Sequence, residues 1–65
     1  MMKKVVIELP MRQKAPGEQE MWEIALRYNI TGCICKIFCC WDNTRTGQTA
    51  GWAYNLHVYY YGTGV

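Results

Sequence analysis

One histidine, one phenylalanine and two prolines are all that this chain has of those residues. A single imidazole leaves no room for a multi-histidine metal site. The prolines, Pro10 and Pro16, fall close together, so the rest of the chain is free to form regular structure. No apolar run approaches the roughly 20 residues that a membrane helix needs, so no membrane partner is expected. Charge is scarce too: seven basic against five acidic residues leave a net +2. That is too little for a surface that neutralises a phosphate backbone. Lys3 and Lys4 followed by Val5-Val6-Ile7 start like a secretory leader, but Glu8 and Pro10 cut the apolar stretch short. A cytoplasmic location is the expectation. Glycine-rich phosphate loops, internal repeats, low-complexity tracts and linkers are all missing.

What is present is apolar mass. Of 65 residues, 51% are hydrophobic and 14% aromatic, which argues against disorder. The length predicts a single domain over residues 1–65, of a size whose stability depends on large buried side chains.

Lys3–Leu9 alternates Val5, Ile7 and Leu9 with Lys4, Val6 and Glu8, a half-buried strand of period two that Pro10 ends. Glu18–Asn29 has helical spacing: Met21, Ile24, Ala25 and Tyr28 repeat at i, i+3, i+4, i+7, and Trp22 and Leu26 widen the stripe. Gly17 serves as N-cap, Glu18 and Glu20 suit the helix dipole, and Asn29 suits a left-handed stop. The apolar arc centres near Ala25, so a small residue marks the closest approach of helix and sheet. Thr31–Asp42 and Gly51–Tyr61 are rich in aromatic and β-branched residues and read as two more strands. Folding that hairpin about Thr46-Gly47 pairs Trp41 with Trp52, Cys39 with Tyr54, Ile37 with Leu56, Cys35 with Val58 and Cys33 with Tyr60. Every one of these falls on one apolar face. The expected fold is α+β, a β-α-β-β unit with a three-stranded sheet in order 1-3-2 and one helix packed on one face.

That arrangement leaves the opposite sheet face open. Phe38, Tyr59, Tyr61, Ile34 and Val6 are expected to cluster there, edged by Lys36, His57 and Lys4, with His57 facing Lys36. An exposed apolar patch of this kind marks a contact surface. The candidate partner-binding residues are therefore Phe38, Tyr59, Tyr61, His57, Lys36 and Ile34. The polar tip, with Thr44, Arg45 and Gln48 beside Trp41 and Trp52, is a second candidate surface or a solvated turn.

The cysteines do not spell a metal site. Cys33, Cys35, Cys39 and Cys40 follow C-x-C-x3-C-C, and a strand would hold Cys35 and Cys39 about 13 Å apart, beyond the reach of one zinc ion. Cys33, Cys35 and Cys39 read as small buried hydrophobes and Cys40 as the exposed thiol. Free thiols agree with a reducing compartment. Cys40 and His57 are placed about 13 Å apart, too far for a nucleophile and its base. No catalytic residue, metal or cofactor is assigned, and the chain is not expected to be an enzyme.

Being short, single-domain and free of catalytic motifs, the chain resembles in kind the small phage or mobile-element proteins that inhibit host defence machinery, anti-CRISPR proteins among them. The likeness carries over no individual residue. It implies a non-catalytic module that binds a protein partner. Two alternatives stand beside it: a single-stranded nucleic-acid-binding protein that stacks bases on Phe38, Tyr59 and Tyr61, and a homodimeric accessory protein.

Overall fold

The computed structural model describes residues 2–28, 30, 32–45, 49 and 51–62. Strand β1 (Met2–Glu8) leads to helix α1 (Glu18–Arg27), then to β2 (Cys33–Trp41) and β3 (Tyr54–Tyr61). The sheet order is β1-β3-β2, and both outer strands run antiparallel to β3. The expected α+β architecture and strand order are therefore those of the folded chain.

Pro10 has no N–H to give a ladder, which is why β1 stops before it. Pairing resumes at Arg12, whose N–H donates to the Trp52 carbonyl (3.0 Å) and whose carbonyl accepts from the Trp52 N–H (2.7 Å). A two-pronged ion pair then ties this loop to the helix: the Arg12 guanidinium donates to both Glu20 carboxylate oxygens at 2.6 and 2.8 Å. The pair holds the Glu20 carboxyl below its ordinary range, chiefly through the hydrogen bond itself.

Gly17 is the extended N-cap, and its carbonyl accepts from Met21 N–H at 3.0 Å. The helix closes on a tight turn in which Tyr28 N–H donates to the Ala25 carbonyl (3.2 Å), so it is shorter than the sequence pattern implied. The Asn29 stop lies outside the described residues. Ala25 is fully buried against a core of Ile7, Leu9, Leu56 and Val58, as its central place in the apolar arc required. The rest of that arc is wider than the buried face: Trp22 and Leu26 are exposed, Leu26 by 71%.

Two corrections concern the hairpin. Trp41 pairs with Tyr54, Cys39 with Leu56 and Ile37 with Val58, so β2 is displaced by two residues from the expected register. The cause is local. Asp42 N–H donates to the Ala53 carbonyl (2.8 Å), and the Asp42 carboxylate accepts from Thr44 N–H (2.9 Å) and Thr44 Oγ1 (2.6 Å), which starts a turn directly after β2. Trp52 meanwhile spends its backbone groups on Arg12 instead of on β2. Trp41 and Trp52 still meet, edge to face, with ring centroids 6.1 Å apart. The proposed Thr46-Gly47 fold point lies outside the described residues.

The second correction is a β-bulge between Ile34 and Lys36. One extra residue, Cys35, reverses the faces of everything before it. Ile34 pairs with Tyr60 and packs on the helix-side core, so it is not part of the open face. Cys33 pairs with Tyr61, and both Cys33 and Cys35 are exposed rather than buried. Burying the larger Ile34 in place of a cysteine gives the bulge its hydrophobic reason. The Cys35 thiol donates to the Tyr59 carbonyl at 3.3 Å.

Candidate binding surface

On the open face the three strands line up in rows. Lys4, Tyr59 and Lys36 form one row; Val6, His57 and Phe38 the next; Glu8, Asn55 and Cys40 the third. Beyond the lysine row lie Met2, Tyr61 and Cys33. Phe38, Tyr59, Tyr61, His57 and Lys36 thus stay on this face, and only Ile34 leaves it. His57 faces Phe38, however, not Lys36.

The rings are packed on each other. Phe38 stacks on His57 with centroids 4.9 Å apart and planes 7° from parallel, and on Tyr59 at 5.9 Å and 21°. Lys36 Nζ lies 5.2 Å from the Phe38 centroid and Lys4 Nζ 5.5 Å from that of Tyr59. The aromatic faces are turned toward one another and the ring edges outward. Phe38, His57 and Tyr59 are consequently half-buried, while Val6, Met2 and Tyr61 are each 41–50% exposed. At the lysine end, Met2, Cys35, Lys36 and Tyr59 line an open hollow of about 390 Å3.

His57 Nδ1 is buried without a hydrogen-bond partner. Burial pushes the imidazole pKa below its ordinary 6.5, and the Lys4 charge pushes it the same way. The sign follows: the unfolded chain binds the proton more readily, so the contribution is present above pH 6.5 and is lost as pH falls toward the depressed folded value. The urea midpoint should therefore drop between about pH 7.5 and about pH 5.5, and His57→Phe should flatten that slope. A slope that survives the substitution would assign it to other groups.

The other end of the face holds a polar knot that the sequence pattern did not reveal. Arg45 folds back from the turn and donates from Nε to Asp42 (3.0 Å), from Nη1 to the Leu9 carbonyl (3.3 Å), and from Nη2 to the Tyr54 carbonyl (3.0 Å) and Asn55 Oδ1 (2.9 Å). Glu8 is 4.0 Å away. The Thr44 hydrogen bonds, helped by Arg45, hold the Asp42 carboxyl down at about 2. Arg45 is thus a clamp that joins the ends of β1 and β3 to the turn. Asp42-x-Thr44, with its side-chain-to-backbone bond, was the one signal of it.

The thiols occupy other places than expected. Cys40 pairs with Asn55 and is half-buried. The true register makes Cys40 and His57 diagonal neighbours, about 7–8 Å apart by sheet geometry rather than about 13 Å. His57 Nδ1 has no hydrogen-bond partner, so this nitrogen does not engage the Cys40 thiol. Burial raises the Cys39 pKa, which keeps that thiol protonated. Among the described residues no three or more His, Cys, Asp or Glu side chains gather as metal ligands, and no helix is long and apolar enough to cross a membrane.

No family model, curated protein or solved structure matches this chain. Its own surface is therefore the only guide to its role. Among the described residues the open sheet face carries an apolar field that the Lys4 and Lys36 row crosses, with Met2 and Tyr61 beyond it, and that ends at the Asp42–Arg45 knot. Trp41 and Trp52, each about half exposed, form a separate apolar spot near the turn.

Proposed function

We propose that the protein is a small non-catalytic module that binds a protein surface through its open sheet face. The observation that carries this reading is the stack of Phe38, His57 and Tyr59, held against each other and flanked by two lysines. A ring set that is already ordered loses little entropy on docking, and its edges, with Val6 and Tyr61, form the apolar centre and polar rim of a protein contact. Base stacking favours the opposite arrangement, with free ring faces and several unengaged cations. A domain of this size acts most simply by covering a partner's surface, as an inhibitor does.

The test is retention on the tagged protein with and without nuclease, beside a Phe38/Tyr59/Tyr61 triple-serine variant shown to be folded. Protein that stays after nuclease treatment and is lost from the variant is the expected result. Tyr59→Ala should weaken it more than Lys36→Glu. Recovery of nucleic acid, or retention that ignores the triple variant, would defeat the reading.

A further inference from the structure

We infer that the partner on this face is a second copy of the chain, seated sheet against sheet about a two-fold axis that crosses the strands at the Val6–His57–Phe38 row. The inference rests on the binding-module reading and names its partner. The apolar row lies midway between two rows of opposite character. One side holds Lys4 and Lys36; the other holds Glu8 and Cys40, with Asp42 one step beyond, and stays net negative although Arg45 sits against both carboxylates. A two-fold axis along that central row sets each strand over its own copy and exchanges the ends. Lys4 then lies over the partner's Glu8, twice by symmetry, and Lys36 lies over the partner's Cys40, beside Asp42. Val6 and Phe38 meet their own copies at the axis.

Among aligned sheet pairs, the alternative of an axis parallel to the strands keeps the ends together. It sets Lys4 over the partner's Lys36 and leaves every cation facing a cation. Charge therefore selects the crossing axis, in an isologous pair of antiparallel sheets about 10 Å apart. Glu8 makes only a long ion pair with Arg45, 4.0 Å at its nearest, and its side chain is 69% exposed, so its carboxylate can also reach a partner.

Size sets the strength. Three strands about 4.8 Å apart and seven residues rising about 3.3 Å each give a face of about 14 by 23 Å. That is small beside the roughly 800 Å2 per partner of a standard interface. The pair should be concentration-dependent, with a dissociation constant on the order of 10–100 μM.

Sedimentation equilibrium of the whole chain under reducing conditions, from about 5 to about 500 μM, spans that range. The expected result is a mass that doubles across it. Lys4→Glu and Glu8→Lys should each weaken the dimer roughly tenfold or more, because each sets like charges face to face twice. The Lys4→Glu/Glu8→Lys double variant should recover most of the wild-type affinity. Glu8→Lys also brings a cation near Arg45, so Lys4→Glu is the cleaner single change and the double variant the decisive one. Phe38→Asp should abolish the dimer.

A chain that stays monomeric at every concentration overturns the inference, and so does a double variant that fails to recover. A dimer indifferent to Phe38→Asp would be paired through another surface, such as a strand edge, which also overturns it. A monomer that still retains another protein, lost from the triple-serine variant, removes the self-partner and leaves the binding-module reading standing. A monomer with no variant-sensitive retention removes both.

Discussion

Gly51→Ala should lose about 3–4 kcal/mol of folding stability, a large part of the roughly 3–10 kcal/mol that a domain of this size holds. Gly51 has φ +102°, where a side chain is strained. A Cβ there would collide with the carbonyl group of Arg12. The left-handed backbone costs roughly 1–2 kcal/mol for a residue with a Cβ. Relieving the clash moves Arg12 away from Trp52 and strains the two backbone hydrogen bonds at 3.0 and 2.7 Å, each worth roughly 0.5–1.5 kcal/mol. The Arg12–Glu20 pair, which fastens the loop to the first turn of α1, loosens with it. Gly17→Ala is the control, since a Cβ at the N-cap meets nothing within 4 Å and the backbone there is extended. Urea unfolding followed by circular dichroism should show a much lower midpoint for Gly51→Ala than for Gly17→Ala. Equal losses would mean that the Arg12–Trp52 bridge contributes nothing special.

The strand order was legible because each element announces its own period. Val5, Ile7 and Leu9 alternate, Met21, Ile24 and Ala25 follow a helical face, and a crossover followed by a hairpin leaves the last strand in the middle. The hairpin register was not legible, for a reason built into period two. Sliding β2 by two residues keeps every side chain on its face, so Ile37 faces inward whether opposite Leu56 or Val58. Loop chemistry decides between them, through the Asp42 turn and the Trp52 bridge. The bulge at Cys35 is a harder case, since Cys33-Ile34-Cys35 reads equally well with either face inward. Phe38, His57, Tyr59, Tyr61 and Lys36 survived these errors because the slip preserves parity and the bulge precedes Lys36. Ile34 lies on its far side and was lost from the site. Arg45 was hidden because a long polar side chain in a turn looks the same in sequence whether it is solvated or clamps two strands. The mutual stacking of Phe38, His57 and Tyr59 is a matter of rotamers, on which a face assignment is silent.

Leu56→Ala should be the severely destabilising change, losing about 3–5 kcal/mol, whereas Phe38→Ala should leave the chain securely folded. Leu56 sits third in the central strand, fully buried, opposite Ile7 on β1 and Cys39 on β2. Its truncation opens a cavity that the small Ala25 above the sheet cannot fill, at a cost of about 3–5 kcal/mol. Phe38 lies on the other face, half-buried, and its loss removes stacking partners and partial burial worth about 1–2 kcal/mol. Near-ultraviolet circular dichroism and urea midpoints of the two variants rank the faces directly. If Leu56→Ala is the severe change, the helix side is the core and the aromatic side is a surface, free to meet a partner. If Phe38→Ala proves as damaging, the ring stack is itself the core of this small fold. The open face then has a structural reason to be aromatic, and both the binding reading and the sheet-to-sheet dimer lose their footing.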